Sequence, residues 1–263
     1  MKNASRALAT ILMLSLLMPT ARSEGKGDVG YLWLNFIQCR PEQCAEVPRR
    51  LIRDGAPVIE PLIETGKVLE WGVAVPMLEG SAAPFTHVEW MTLANWDAAD
   101  AIAESLLLPR QGAPAWRDLA TRLEVDVITR SEFAGAGRPD RPQYIFLTFL
   151  RAKSGTADAG TNALRSVMSA ALDPLIPEKH IMNFGVLVPA MSVEASWTHL
   201  AWYATRTLLD RNRVDHEITG LPEALRGSQW VSKTATDPNF QADAREDQVL
   251  RILHYRRRSN TAP

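Results

Sequence analysis

Little in this sequence is extreme, and each missing feature removes a class of function. Only two cysteines occur in 263 residues, so at most one disulfide can form. Charges nearly cancel, with 29 Lys and Arg against 30 Asp and Glu, so nothing draws the chain to nucleic acid or to an anionic membrane. There is no Gly-rich phosphate loop, no dinucleotide fingerprint and no nucleophile elbow. Past residue 23 no apolar run reaches the roughly 20 residues of a spanning helix. Tyrosine is scarce, with four against eight tryptophans.

The first 23 residues read as an address rather than as fold. Lys2 and Arg6 give a basic start, Ala7 to Pro19 an apolar core, and Ala21-Arg22-Ser23 a small-x-small cleavage site. The layout is that of a signal peptide. An uncleaved anchor is the rival, and the short apolar core argues against it. A soluble, exported protein is expected, periplasmic or secreted, with no membrane contact after cleavage. Export bears on Cys39 and Cys44, which stand in Cys-Arg-Pro-Glu-Gln-Cys. In an oxidising compartment a short disulfide loop is expected. A metal pair and a catalytic thiol are the alternatives, although the spacing fits no zinc motif well.

What the sequence does have is an internal echo. Gly72-Val73-Ala74-Val75-Pro76 returns as Gly185-Val186-Leu187-Val188-Pro189, 113 residues later. Thr86-His87-Val88-Glu89-Trp90 returns as Thr198-His199-Leu200-Ala201-Trp202, at an offset of 112. Tyr31 to Ile37 matches Tyr144 to Leu150, and Pro61-Leu62-Ile63 matches Pro174-Leu175-Ile176, both at 113. The period is far longer than the roughly 20 to 50 residues of solenoid units, and suits a small domain.

Local patterns then order the elements. Residues 31–38, 68–75, 85–93 and 123–129 read as strands. Residues 45–63 read as helical but broken at Gly55, Pro57 and Pro61, because proline cannot donate within a helix. A helix is expected over 98–107 and a short one over 116–122. Residues 135–142 form a Gly/Pro-rich linker. Strands are expected again at 143–150, 180–188, 196–204 and 248–255. Helices fall near 158–173, 206–218 and 222–226, with 227–246 a loop. Each half runs β-α-β-β-α-β, the order of a ferredoxin-like unit. The expected divisions are a signal at 1–23, repeats at 28–134 and 143–257, the linker, and a tail at 258–263. Alternation gives each strand two rows. The aliphatic rows, such as Leu32, Leu34 and Phe36, suit the helix side. The mixed rows, such as Tyr31, Trp33 and Asn35, or His87, Glu89 and Met91, would face the other half.

Two such units joined sheet to sheet in one chain resemble the dimeric α/β-barrel superfamily, with residues 30–257 acting as an internal pseudo-dimer. The expected fold is therefore α+β, and a monomer suffices. Members of that superfamily include cofactor-free monooxygenases, haem-binding proteins, isomerases and lyases. The resemblance implies a ligand inside the barrel or between sheet and helices, and fold by itself does not name it.

The candidate chemistry follows from the mixed rows. His87 and His199 occupy matching positions, and a neutral imidazole near a carboxylate suits a general base. Trp33, Asn35, Glu89, Thr148 and Tyr203 would line the pocket with them. The plainer reading is that a His after Thr satisfies nearby backbone, a role that duplication copies equally well. A metal on both His and Glu89 lacks fixing spacing, so none is expected. No cofactor is called for, and haem stays open. The expected partner is a small hydrophobic or aromatic molecule. The alternatives are a cofactor-independent enzyme with a barrel His as base, and a structural or interaction protein with a solid core.

Overall fold

The computed structural model describes residues 31–77, 85–106, 120–134, 141–191, 197–221, 239–241 and 246–258. The described residues form eight strands: β1 Tyr31–Cys39, β2 Val68–Pro76, β3 His87–Leu93, β4 Ala120–Ala134, β5 Tyr144–Leu150, β6 Asn183–Met191, β7 His199–Thr205 and β8 Glu246–Arg257. Four α-helices accompany them among the described residues: α1 Val47–Glu64, α2 Asp97–Leu106, α3 Ala157–Leu172 and α4 Asp210–Gly220. The expected leader, the loop at 78–84, the linker at 135–140, the helix at 222–226 and the tail past 258 lie outside the described residues.

All strand pairings are antiparallel, and the sheet closes on itself in the order β1-β3-β2-β8-β5-β7-β6-β4. The first four strands stand in the order β4-β1-β3-β2 and the last four in the order β8-β5-β7-β6. The halves meet edge to edge rather than as two stacked sheets. β2 pairs with β8 from Glu70↔Arg257 to Pro76↔Leu250, and β4 pairs with β6 from Ile128↔Met191 to Ala134↔Gly185. Closure removes every free sheet edge, which would otherwise offer unpaired N–H and C=O groups.

The helices cover the outside. Along α1, Val47, Leu51, Gly55, Ile59 and Ile63 are buried at four-residue spacing, one stripe against the sheet. This helix is continuous where the sequence predicts breaks. Pro57 and Pro61 sit on its exposed side, so the carbonyls they leave unbonded face water, and burial of the stripe outweighs the propensity cost. Residues 120–122 are the start of β4 rather than the end of a short helix. Phe240, within the expected loop, pairs with Ala152 and is 2% exposed.

Three apolar layers result. Under α1 and α2 lie Trp33, Trp71, Met91 and Leu93. Under α3 and α4 lie Phe146, Leu150, Phe184 and Tyr203. The barrel lumen holds Leu34, Phe36, Val88, Trp90, Leu147 and Phe149. The rows are thus reversed from expectation. The aliphatic rows point into the lumen, and the mixed rows face the helices.

Cys39 and Cys44 are bonded to each other, with Cα atoms 5.4 Å apart. The bridge pins the turn from β1 into α1, and the Cys39 N–H donates to Thr86 Oγ1 at 3.1 Å. A loop this short restrains the unfolded chain modestly. Replacing both cysteines by serine should cost about 2 kcal/mol in urea unfolding. Equal midpoints for the two proteins would show that the bridge adds nothing.

Candidate functional site

The seven residues expected to converge in a barrel pocket do not converge. Trp33, Asn35, His87 and Glu89 lie on the helix-covered side of the first half. Thr148, His199 and Tyr203 share strand faces that look toward the helices of the second half. β1 and β5 stand four places apart around the ring, so the two groups are on opposite outer sides. The mixed rows carry the large rings that pack flat under helices, whereas the narrow lumen takes the aliphatic rows and the small residues Gly72 and Ala74.

Both Thr-His pairs do the same local work. Thr86 Oγ1 donates to the Ile37 carbonyl at 3.0 Å and accepts from the Cys39 N–H, tying the end of β1 to the start of β3. Thr198 Oγ1 accepts from the Ala152 N–H at 2.6 Å and lies 3.4 Å from the Leu150 carbonyl in the second half. Each histidine then bonds its threonine through Nδ1, His87 at 3.0 Å and His199 at 2.9 Å. His199 Nε2 lies 3.1 Å from the Ala157 carbonyl and 3.0 Å from Thr161 Oγ1, both in the first turn of α3. A nitrogen beside a carbonyl oxygen is a donor, so Nε2 carries the proton and Nδ1 accepts. His199 is therefore an anchor between sheet and helix, with neither nitrogen open to a substrate. His87 is 3% exposed, and burial lowers its pKa to about 4, which makes it a weak base. The general-base role expected of the two histidines is not what their surroundings support.

Thr148 Oγ1 donates to Asp247 Oδ1 at 2.8 Å. Tyr203 stacks on Phe146 at 4.6 Å, and burial pushes its phenol well above the usual range. The first is an exposed hydrogen bond between β5 and β8, the second a packing contact.

Glu89 is different. Its carboxylate is 5% exposed, accepts from Trp71 Nε1–H at 2.9 Å through Oε1, and lies 3.4 Å from Asn35 Nδ2 through Oε2. Trp33, Ile59, Met91 and Ile102 belong to the apolar cluster around it. Trp71 reaches this depth because Gly55 on α1 has no side chain; a β-carbon there would stand 3.0 Å from the indole. Trp71 also meets His254 in a T-shaped contact, ring centroids 4.5 Å apart. His254 Nε2 is buried without a hydrogen-bond partner, and burial, then Arg256 and Arg141, lower the pKa of the ring.

Among the described residues the second half has no such cluster. Strand register sets Asn35↔Glu89 against Thr148↔Ala201, and Phe184 stands where Trp71 does. A buried carboxylate costs free energy that an alanine avoids, so one half carries a polar group that the scaffold does not need. Trp71 and His254 are not among the seven residues that the sequence placed in the pocket. The readable signal was the mismatch between the copies: Glu for Ala, Asn for Thr, Trp for Phe.

His199 has both ring nitrogens in hydrogen bonds, His180 Nδ1 lies 2.9 Å from Asp210 Oδ1, and His216 is exposed on α4. Among the described residues no three His, Cys, Asp or Glu side chains cluster as a metal site.

The barrel and its helices are matched by solved structures. An anthrone oxidase-like protein superimposes with a TM-score of 0.59 at 9% identity, over 89% of this chain and 96% of its own. A candidate monooxygenase from Fusobacterium nucleatum gives 0.60 at 8% identity, over 88% and 95%. The fold is that of the dimeric α/β-barrel superfamily. A further candidate monooxygenase, from Lactobacillus acidophilus NCFM, gives 0.57 at 10% identity, over 88% and 98%. The present chain supplies all eight strands of the barrel from one polypeptide. No family model and no curated protein matches the sequence.

Proposed function

We propose that this is an exported protein that binds a small, mostly apolar or aromatic molecule beneath α1 and α2 of its first half. The observation that carries this reading is the buried Glu89 carboxylate, present in one half of the barrel and replaced by alanine in the other. An apolar cage around a single anionic acceptor suits a hydrophobic body with one O–H or N–H to donate. The likeness to monooxygenase structures supports a ligand-binding or catalytic barrel of this kind. The chain is best read as a duplicated unit, bounded at 28–134 and 143–257, in which the second copy keeps the scaffold and the first keeps the polar cluster. Residues 1–23 direct export. With all sheet edges paired, a monomer is sufficient.

A second reading has its own support. A carboxylate fixed by Trp71 and Asn35 among others, and shielded from water, can take a proton from a bound acid. Glu89, rather than His87 or His199, is then the base of a cofactor-independent enzyme.

Glu89→Gln separates function from packing, because the Gln carbonyl can still accept from Trp71. Native mass spectrometry of protein isolated from the exporting compartment should show a bound small molecule on the wild type and little on the variant. Thermal stability should stay close to wild type. The same molecule bound equally to both proteins would overturn the site.

A further inference from the structure

The Cys39–Cys44 bridge joins two sulfurs in unlike surroundings. Cys39 is 2% exposed and packs with Ile37, Val47, Leu51 and Val73. Cys44 is half-buried, on a turn whose Pro41, Glu42, Ala45 and Glu46 are exposed. A thiolate arriving from solvent therefore meets Cys44 first, and the bond then breaks with its electron pair on Cys39.

The inner sulfur has a polar side. Cys39 Sγ lies 2.9 Å from Thr86 Oγ1 and 3.8 Å from His87 Nδ1. The hydroxyl hydrogen of Thr86 is committed to the Ile37 carbonyl, so the 3.0 Å contact between His87 Nδ1 and Thr86 Oγ1 needs its proton on the nitrogen. That N–H stands beside both the Thr86 oxygen and Cys39 Sγ. A disulfide sulfur accepts weakly and makes little use of it, whereas a thiolate there would accept a charge-assisted bond.

The fold does not need the bridge. Ala152 takes the place of Cys39 in the second half, 113 residues on, and residues 151–156 hold no cysteine. The same contacts form there: Ala152 N–H donates to Thr198 Oγ1 at 2.6 Å, and His199 Nδ1 meets Thr198 at 2.9 Å. One copy closes this junction with threonine and histidine alone. The other adds a bond that only oxidation supplies. The cysteines are 5 apart in sequence, so opening the bridge frees a short turn and leaves every strand pairing in place.

We infer that Cys39–Cys44 is an exchange-active disulfide, opened through Cys44 by an external dithiol, with the His87 N–H receiving the Cys39 sulfur. The first thiolate of the reductant bonds Cys44 Sγ, the Cys39–Cys44 bond breaks, and Cys39 leaves as a thiolate. The second thiolate of the reductant attacks its own partner sulfur in the mixed disulfide, and Cys44 leaves. The dithiol ends as a disulfide, and its protons pass through solvent to the two protein sulfurs. The assignment is independent of the ligand read at Glu89.

The test uses purified protein with glutathione and dithiothreitol as probes. After brief exposure to glutathione and an acid quench, peptide mapping by mass spectrometry should find glutathione on Cys44 about tenfold more often than on Cys39. Dithiothreitol should open the bridge in the native protein at a rate that stays flat with urea below the unfolding transition. His87→Phe keeps a ring of similar size and removes the N–H, and it should slow this native-state opening about tenfold. Glutathione chiefly on Cys39, or no opening until urea unfolds the chain, would overturn the inference. An unchanged or faster rate in His87→Phe would overturn the part given to His87.

Discussion

Gly72→Ala should be among the most damaging single-methyl changes in this protein, at about 3 kcal/mol. Gly72 pairs in register with Trp90 across β2 and β3, and the indole lies over the glycine. A β-carbon at residue 72 would sit well under 3.0 Å from three atoms of that ring, closer than real contacts allow. The ring cannot simply swing aside, since Trp90 is 7% exposed and walled by the lumen residues. Either the indole leaves its rotamer or β2 moves away from β3, and both loosen a closed barrel whose strands have no free edge to absorb the shift. Urea unfolding of Gly72→Ala and of Gly220→Ala, a position with open space around it, checks the claim. The control should stay within about 0.5 kcal/mol of wild type. Adding Trp90→Leu to Gly72→Ala should return part of the loss, so that the double variant costs less than the sum of the singles. A loss below about 1 kcal/mol for Gly72→Ala would mean that the indole does not rest on the glycine.

The same pair shows where the sequence was readable and where it was not. Strand positions were legible because apolar runs there are bounded by breakers: β1 was expected at 31–38 and stands at Tyr31–Cys39, β7 at 196–204 and stands at His199–Thr205. The direction each row faces was not legible from hydrophobicity, because both faces of these strands are buried, one by the lumen and one by helices. Isolated polar residues suggested a pocket row, and polarity misled. His87 and His199 are polar because they fasten the sheet to what covers it, not because a ligand waits there. Size was the better guide. Glycine opposite tryptophan on adjacent strands means that the ring crosses the backbone, which fixes Trp90 and its row inside the narrow barrel. The continuity of α1 through Pro57 and Pro61 was hidden for another reason: it depends on the buried stripe, a tertiary effect that local propensity does not contain. Glu89 was named from the sequence but assigned to the wrong side of the sheet; on the helix side it accepts from Trp71.

Acid should weaken this protein through His87 over the range from pH 6.5 down to about 4. An unfolded histidine takes up a proton near pH 6.5, and His87 in the fold does so only near 4, because burial penalises the charged ring. Between those values the unfolded chain binds the extra proton and the native chain does not, so stability falls as pH falls. The contribution is intact above pH 6.5 and about 3 kcal/mol is lost by pH 4. The neighbours of the ring offer no relief: Thr86 Oγ1 is committed to the Ile37 carbonyl, and the Cys39 sulfur at 3.8 Å is bonded to Cys44. His254 adds to the same slope, since its pKa is also lowered. The share of His87 is isolated by difference. In His87→Asn the amide nitrogen can stand in for Nδ1 at Thr86, and the group no longer titrates. Urea unfolding at pH 7 and pH 4 should show a drop about 3 kcal/mol smaller in the variant than in the wild type. Parallel pH profiles for the two proteins would mean that His87 accepts its proton as easily folded as unfolded, and that the junction of β1 and β3 opens to water rather than sealing it out.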